Sequence, residues 1–237
     1  LAGRGTGRPL ASGEHVLVGD GEGYVHLLRK DDGSLVGRQR TASSPILADL
    51  QRAAGDIIVQ TVHHGFDDPW LCATRAHQVA ITGAKDRVLI QTPYFVPDPE
   101  TMQAITNAAA GGVRVDLLLT GMLDKKIPWY AAETYFEELL KAGVNIYRWE
   151  KGFFHAKSLT VDGKATSIGT LNLDIRSLRL HKEMMVWIYD EEAARRCEEI
   201  FAADLADCVP LTLADVHSWG HLRRFRNSAA RLFSNLL

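Results

Sequence analysis

The chain has 237 residues, of which 46% are hydrophobic and 24% charged, and its formal net charge is -2. This composition is typical of a globular protein with a substantial core, and it excludes a strong overall attraction to polyanions, so such binding would need local patches. Three cysteines without a CxxC pair predict neither a disulfide framework nor a zinc site. The sequence contains no run of about 18 apolar residues, so it predicts no membrane-spanning helix. The first residues lack a signal-peptide pattern, and we expect the sequence to be a fragment.

Short predicted strands and turns make up residues 14–62. Alternating apolar runs such as residues 24–28 are separated by turn signals that include Asp31-Asp32-Gly33, which favours β-hairpins. This segment resembles one blade of a pyrroloquinoline-quinone-like β-propeller, in particular a blade of an outer-membrane assembly lipoprotein. The all-β pattern stops at residues 63–65. We therefore expect residues 1–64 to be a separate β segment joined at a fusion or assembly junction; the alternative is an extra sheet of the following domain.

Predicted helices and strands alternate from about residue 72 onward. The helices cover residues 73–84, 99–110, 130–142 and 191–206, and the strands cover residues 87–91, 113–119, 144–147, 155–161, 165–168 and 184–189. This alternation predicts an α/β domain over residues 66–210, with a mixed β-sheet flanked by helices and preceded by the small all-β segment. In such folds, ligands bind at the ends of the strands.

One short β-turn-β unit carries side chains that suit attack on a phosphodiester. His155 and Lys157 are two residues apart on a predicted strand, so we expect both to leave the same face. Asp162 stands at the turn, and the returning strand leads to Asn172. Imidazole can attack phosphorus, while the ammonium and the amide can hold the non-bridging oxygens. Asp162 is predicted to orient or compensate a nearby cation, and we predict no metal and no cofactor.

The spacing of these residues, HxK(x)4D(x)6G(S/T)xN, resembles the HKD signature of the phospholipase D superfamily. From about residue 66 to residue 237, the chain resembles the C-terminal half of bacterial cardiolipin synthases, most clearly at residues 88–98, 135–140, 152–155 and 172–177. The resemblance implies a phospholipase D-like fold. It assigns supporting roles to Gly169 and Thr170, where threonine replaces the usual serine, and to Glu183, whose counterpart supports the histidine through its second ring nitrogen. Tyr94 and Phe95 follow a predicted strand and are candidates for the substrate cleft.

Members of that family combine two HKD motifs, and the sequence contains one. The resemblance implies phosphatidyl transfer between phosphatidylglycerol molecules to give cardiolipin, through a phosphohistidine intermediate. Partners would be anionic phospholipid and a second HKD half, from a missing N-terminal half or a second subunit, at the bacterial inner membrane. By family precedent, we expect His155 to be the general acid and base; the nucleophile is the alternative.

Residues 211–237 are predicted to form a basic amphipathic tail. The arginines are expected to face away from the apolar residues at helical spacing: Arg223, Arg224, Arg226 and Arg231 against Leu222, Phe225, Leu232, Phe233 and Leu236. Such a helix either lies on an anionic membrane through its arginines or docks its apolar stripe on the domain.

Two other functions stay open. One is a homodimeric phosphodiesterase or nuclease with a single HKD motif per subunit, although the tail and the lack of a basic, aromatic groove do not favour nucleic acid. The other is a propeller-derived, non-enzymatic binding module with a vestigial HKD domain.

Overall fold

The computed structural model describes residues 10–12, 14–19, 24–40, 50–52, 58–65, 68 and 71–234. In chain order, the elements in this part of the chain are β1 Leu10–Ser12, β2 His15–Gly19, β3 Tyr24–Arg29, β4 Leu35–Arg40, β5 Leu50–Arg52, β6 Ile58–His64, α1 Cys72–Gly83, β7 Arg87–Thr92, β8 Phe95–Val96, α2 Pro99–Ala110, β9 Arg114–Thr120, α3 Lys126–Ala132, α4 Phe136–Ala142, β10 Asn145–Trp149, β11 Ser158–Val161, β12 Ala165–Gly169, β13 Leu173–Asp174, α5 Ile175–Arg179, β14 Glu183–Tyr189, α6 Glu191–Leu205, β15 Cys208–Leu211, α7 Leu213–Ser218 and α8 His221–Arg231.

A nine-stranded mixed sheet is the centre of the fold, with strand order β15-β10-β9-β7-β11-β12-β14-β6-β5. Strands β10, β9 and β7 pair in parallel, and the other neighbours pair antiparallel. Helices pack on both faces of the sheet. Successive residues of a strand point to opposite faces, so neighbouring residues join different apolar clusters. Val88 and Leu117 belong to the larger apolar cluster, whereas Leu89 and Leu118 pack with Phe201 of α6. The predicted α/β fold with a mixed sheet is confirmed.

The strands before residue 65 divide between two sheets. Strands β1 to β4 form a separate antiparallel sheet in the order β1-β2-β3-β4. Strand β6, in contrast, pairs with β14 over seven residue pairs, from His64 opposite Glu183 to Ile58 opposite Tyr189. Hydrogen bonding thus assigns β6 to the larger sheet, although the sequence pattern grouped it with the strands before it. The predicted domain boundaries, the propeller-blade likeness and the junction stay predictions.

The predicted helix over residues 130–142 consists of two helices. Between α3 and α4, the backbone N–H of Thr134 donates to the carbonyl of Ala131, and its hydroxyl donates to the same oxygen at 2.7 Å. These bonds close a tighter turn than that of an α-helix and break its regular hydrogen bonding. The turn carries the buried side chain of Glu133, which is central to the attachment of the C-terminal helix.

Helix α8 packs on the domain with its arginines and exposes its apolar residues, which is the reverse of the docked alternative. Its arginines contact the domain: Arg223 and Arg226 donate to Glu133, and the Arg231 guanidinium lies 4.4 Å from the centroid of the Tyr135 ring. Its apolar side chains are exposed, with exposed fractions of 83% for Leu222, 74% for Phe225, 84% for Leu232 and 53% for Phe233. Leu236 lies outside the described residues. The apolar stripe therefore does not dock on the domain in the part of α8 that is described.

Candidate active site

The HKD segments lie at the carboxyl ends of two parallel strands. Thr92 ends β7 and Thr120 ends β9. The hydroxyl of Thr92 accepts from the backbone N–H of Leu173 at 3.3 Å, and that of Thr120 accepts from the backbone N–H of Phe154 at 3.5 Å. These contacts bring the chain before His155 and the chain after Asn172 to the same sheet edge. Ligand sites of open α/β sheets occur at such edges.

His155 and Lys157 lie before strand β11 rather than on it, because β11 begins at Ser158. The prediction of a strand that begins at His155 is therefore wrong by three residues. His155 is exposed, whereas Lys157 is 9% exposed. The ammonium of Lys157 donates to the carbonyl of His155 at 3.0 Å, which holds the two residues together. The Lys157 carbonyl accepts from the N–H of Gly169 at 3.2 Å, so the two halves of the motif are joined.

The environment favours the neutral form of the His155 imidazole. Partial burial lowers its pKa below the usual 6.5, and the charges of Lys157 and Lys125 lower it further, while Asp124 acts in the opposite direction. A neutral imidazole has the free nitrogen lone pair that nucleophilic or base catalysis requires. Burial also lowers the pKa of Lys157, against the attraction of Glu183 and Asp174.

Asn172 is positioned by Ser177, a residue that the sequence reasoning missed. The Asn172 amide donates to the Ser177 hydroxyl at 3.1 Å. Ser177 is fixed in turn, because its N–H donates to Asp174 at 2.9 Å and its carbonyl lies 2.8 Å from the ring Nε2 of His64. The amide oxygen of Asn172 is buried and has no partner among the described residues. This arrangement fixes the orientation of the Asn172 amide through its nitrogen and leaves its oxygen without a hydrogen bond to the described residues.

Thr170 and Glu183 form a second contact across the motif. The Thr170 hydroxyl donates to the Glu183 carboxylate, and Thr170 Oγ1 accepts from the N–H of Met184 at 2.9 Å. Glu183 lies 3.8 Å from the ring of His181. Glu183 thus contacts Thr170 and His181. The expected support of the second ring nitrogen of His155 by Glu183 stays a prediction. Gly169 has no room for a side chain, because an added Cβ would overlap the Met184 carbonyl.

Asp162 lies away from these residues, at the opposite end of β11. Its carboxylate accepts from the backbone N–H groups of Lys85, Asp86 and Arg87, each at 2.9 Å. Burial alone would raise the pKa of Asp162, but these three bonds outweigh it and lower the pKa. The contacts anchor the turn to the start of β7. The charge of Lys164 also lowers the pKa of Asp162, and the predicted role of orienting or compensating a nearby cation stays a prediction.

The two aromatic candidates for the cleft have different positions. Phe95 is 1% exposed and packs edge-on against Tyr135, with ring centroids 6.2 Å apart. Both residues line the same cleft, and the Tyr94 hydroxyl donates to Asp124. The Phe153 ring lies between Tyr94 and His155, with centroid distances of 6.4 Å and 5.3 Å. Tyr94 is thus the candidate whose ring neighbours are known to extend toward His155. Asp124 was missed, and its position after the parallel strand β9 is the signal that could have identified it.

The described residues contain neither a metal-ligand cluster nor a membrane-spanning helix. Among residues 10–234, apart from the gaps stated above, no cluster of three histidine, cysteine, aspartate or glutamate side chains could hold a metal ion. In the same part of the chain, no helix has the length and hydropathy needed to cross a membrane.

Known proteins resemble the chain in sequence and fold. Residues 78–205 match the family described as cardiolipin synthase, phospholipase D-like domain. A cardiolipin synthase of Clostridium perfringens (strain SM101 / Type A) is 43% identical over 157 residues, covering 66% of this chain and 33% of the relative. Cardiolipin synthase 2 of Bacillus anthracis is 38% identical over 179 residues, covering 76% and 35%. The chain thus spans about a third of the length of these relatives.

Two solved structures share the fold. Phosphatidylserine synthase of Haemophilus influenzae Rd KW20 aligns with a TM-score of 0.63 at 15% identity, covering 87% of this chain and 52% of that one. Nuc, a phospholipase D family member of Salmonella typhimurium, aligns with a TM-score of 0.57 at 20% identity, covering 66% and 99%. The family match extends over more than half of the chain and includes every residue of the HKD signature. The chain therefore belongs to the phospholipase D-like domain family of cardiolipin synthases.

Proposed function

We propose that this chain supplies one HKD half of a site that transfers a phosphatidyl group from one phosphatidylglycerol to another, giving cardiolipin and glycerol. The observation that carries the proposal is the grouping of His155, a buried Lys157 and a fixed Asn172 amide at one sheet edge. The family membership gives the substrate class.

The reaction needs a nucleophile and a proton carrier. One imidazole attacks the phosphorus, a nitrogen–phosphorus bond forms, and the phosphorus–oxygen bond to glycerol breaks. The other imidazole gives a proton to the leaving glycerol and takes one from the incoming hydroxyl. We assign His155 to the second role by precedent of the family. Lys157 and Asn172 stabilise the charge on the non-bridging oxygens, since the ammonium of one and the amide of the other are held in place before the reaction.

The second imidazole comes from a second HKD half. The relatives are about three times longer than the sequence they share with this chain. We propose that the rest of the longer protein supplies that half. Gly169, Thr170 and Glu183 position the loop that carries Asn172, and Asp162 holds the turn after β11.

The test is made in the full-length protein that contains this chain. His155→Asn is expected to lower cardiolipin formation from phosphatidylglycerol by at least about a hundredfold, since general acid and base catalysis contributes about 10²–10⁴. His63→Asn, on an exposed residue of β6, is the matched control. Cardiolipin and glycerol are quantified by mass spectrometry. Equal activity of both variants would refute the proposal.

A single-motif homodimer is the second candidate. The fold match to Nuc favours it, because 99% of that chain aligns with 66% of this one, so one half-domain can be a whole subunit. Two copies of His155 would then meet across a twofold axis. A dimer that cleaves soluble phosphodiesters without a further half would support this candidate. A chain that is inactive even in its full-length context would favour the non-enzymatic module.

We also propose that the protein works at the surface of the bacterial inner membrane and that α8 contacts it. Exposed Leu222 and Phe225 would enter the lipid interface, and exposed Arg224 would contact anionic headgroups beside them, whereas Arg231 faces the Tyr135 ring. Each exposed arginine near the surface contributes about 1 kcal/mol. Arg223 and Arg226 contribute less to this contact, because both donate to Glu133.

Vesicle flotation tests the membrane contact. Phe225→Ser is expected to lower binding to phosphatidylglycerol vesicles, while the control Ile200→Ser changes an exposed apolar residue of α6, outside α8 and the site. Neutral phosphatidylcholine vesicles should bind less protein than anionic ones. Equal flotation of the Phe225 variant and the unchanged protein would contradict the proposal.

A further inference from the structure

A cleft lined by Tyr94 has polar groups that the proposed reaction does not yet use. Its walls are mostly apolar and aromatic, formed chiefly by Pro93, Phe95, Leu119, Met122, Trp129 and Phe136. Tyr94, Asp124 and Lys125 add a hydroxyl, a carboxylate and an ammonium to the same lining. An apolar lining with a few convergent polar groups is typical of a small-molecule site.

These polar groups lie within electrostatic reach of His155. The charge of Asp124 raises the pKa of the imidazole and that of Lys125 lowers it, in addition to the effects of burial and Lys157. Phe153 contacts both the Tyr94 ring and the His155 ring. A molecule in the cleft would therefore have one end next to the imidazole.

The chemistry of the three groups suits a polyol attached to a phosphate. Asp124 accepts from the Tyr94 hydroxyl, and a carboxylate has about four lone-pair sites, so it can accept from further hydroxyls. Asp124 is exposed to an incoming ligand. Lys125 lies with its ammonium 5.3 Å from the centroid of the Tyr94 ring and is free to bind a phosphate beside it.

We propose that Tyr94, Asp124 and Lys125 form the binding site for the acceptor alcohol, recognising the vicinal diol of a terminal glycerol group. Asp124 accepts from the hydroxyl next to the one that reacts, and Lys125 contacts the phosphate that carries the glycerol. This inference rests on the proposed function. It adds to that function a basis for choosing a glycerol headgroup over water or a simple alcohol.

The site serves both steps of the reaction. The leaving glycerol and the attacking glycerol group occupy the same place in turn. In the second step, the acceptor oxygen forms a bond to phosphorus, the nitrogen–phosphorus bond breaks, and the hydroxyl proton passes to the imidazole that carries no phosphoryl group. Binding of the diol fixes the attacking oxygen, which favours transfer over hydrolysis.

The test compares two soluble acceptors that differ by one hydroxyl. The full-length protein is given phosphatidylglycerol with equal concentrations of 1,2-propanediol and 1-propanol, and the two phosphatidyl alcohols are quantified by mass spectrometry. The unchanged protein is expected to prefer the diol at least about tenfold, because a site that binds a hydroxyl discriminates against the analogue lacking it. Asp124→Ala is expected to bring the ratio close to one.

Two further variants complete the design. Asp31→Ala removes an exposed carboxylate in the turn between β3 and β4 and should keep the preference of the unchanged protein. Tyr94→Phe removes one hydroxyl and should lower the preference about threefold, which gives a second reading if Asp124→Ala does not fold. An unchanged product ratio in both the Asp124 and Tyr94 variants would overturn the inference. If the unchanged protein formed no phosphatidyl alcohol or cardiolipin, the proposed function would fail, and this inference with it.

Discussion

Glu133→Ala is expected to destabilise the protein by releasing helix α8. The Glu133 side chain is 1% exposed and accepts from four groups: Arg148 at 3.2 Å, Arg223 at 3.0 Å through Nε, Arg226 at 3.4 Å and Asn227 at 2.8 Å. Removing it leaves three guanidinium groups and an amide beside each other without their shared acceptor.

The loss of stability is about 3 kcal/mol. Removing one partner from a buried ion pair costs about 3–5 kcal/mol, because the remaining charge stays desolvated. The lower end applies here, since Arg223 and Arg226 have side chains that are 36% and 41% exposed and water screens them. Most of the cost then comes from Arg148, which is 18% exposed, and from the buried Asn227.

Urea unfolding of the purified chain, followed by tryptophan fluorescence, measures the change. A loss of about 3 kcal/mol shifts the midpoint by about 1 M or more. Trp219 also reports on α8 directly, because the Arg223 guanidinium lies 3.9 Å from the centroid of its ring. Glu137→Ala, which removes an exposed carboxylate paired with Lys141, should change stability little. A midpoint for Glu133→Ala equal to that of Glu137→Ala would refute the reasoning.

The pH dependence of stability gives a second test of the contacts of Glu133. Burial alone would raise the pKa of Glu133, but the hydrogen bonds from Arg223 and Asn227 and the charges of Arg223 and Arg148 outweigh it and lower the pKa. A lowered folded-state pKa contributes stability that is fully present above the unfolded value near 4.5 and is lost as pH falls through the folded value. The acid-dependent part of unfolding should therefore be smaller in the Glu133→Gln variant.

Three further predictions concern other positions. Asp162→Ala should lower stability by about 2–3 kcal/mol through the loss of bonds to three backbone N–H groups, measured by urea unfolding; unchanged stability with lost turnover would instead assign the residue to the reaction. Gly169→Ala should lower cardiolipin formation by about a hundredfold, because the added Cβ displaces the loop to Asn172; an activity equal to that of the unchanged protein would contradict this reason. His77 is buried, which lowers its pKa from 6.5 to about 4, so the unfolded state binds a proton first as pH falls from 6.5 toward 4. Stability should fall by about 3 kcal/mol over that range, and His77→Gln should remove this part of the pH dependence, as measured by unfolding at pH 7 and pH 4.5.

Much of the fold follows from local patterns. The predicted helices over residues 99–110 and 191–206 agree with α2 and α6 to within one residue. Both begin after an aspartate, Asp98 or Asp190, whose side chain accepts from a backbone N–H in the first turn, so a short stretch of sequence marks the start. Strand β7 follows in the same way from a continuous apolar run, which is typical of a buried parallel strand.

The misjudged features depend on contacts between distant parts of the chain. The motif identified Asp162, but its partners are backbone groups at residues 85–87, which no spacing rule connects to it. Ser177 was missed for the same reason, because its link to His64 joins residues 113 positions apart. Spacing can show which residues share a motif, whereas the fold decides which of them share a site.

The orientation of α8 shows why an amphipathic pattern alone leaves the direction of a helix open. The pattern separates the arginines from Leu222 and Phe225, and burial of apolar area would favour turning the leucine and phenylalanine inward. A buried carboxylate at Glu133 opposes that choice, because leaving it without the arginines would cost about 3–5 kcal/mol. This cost is comparable with the roughly 1.5–3 kcal/mol for each exposed apolar side chain. The ion pairs with Glu133 therefore have two effects. They stabilise the attachment of α8 to the domain, and they turn its apolar face outward, where the proposed membrane contact would form.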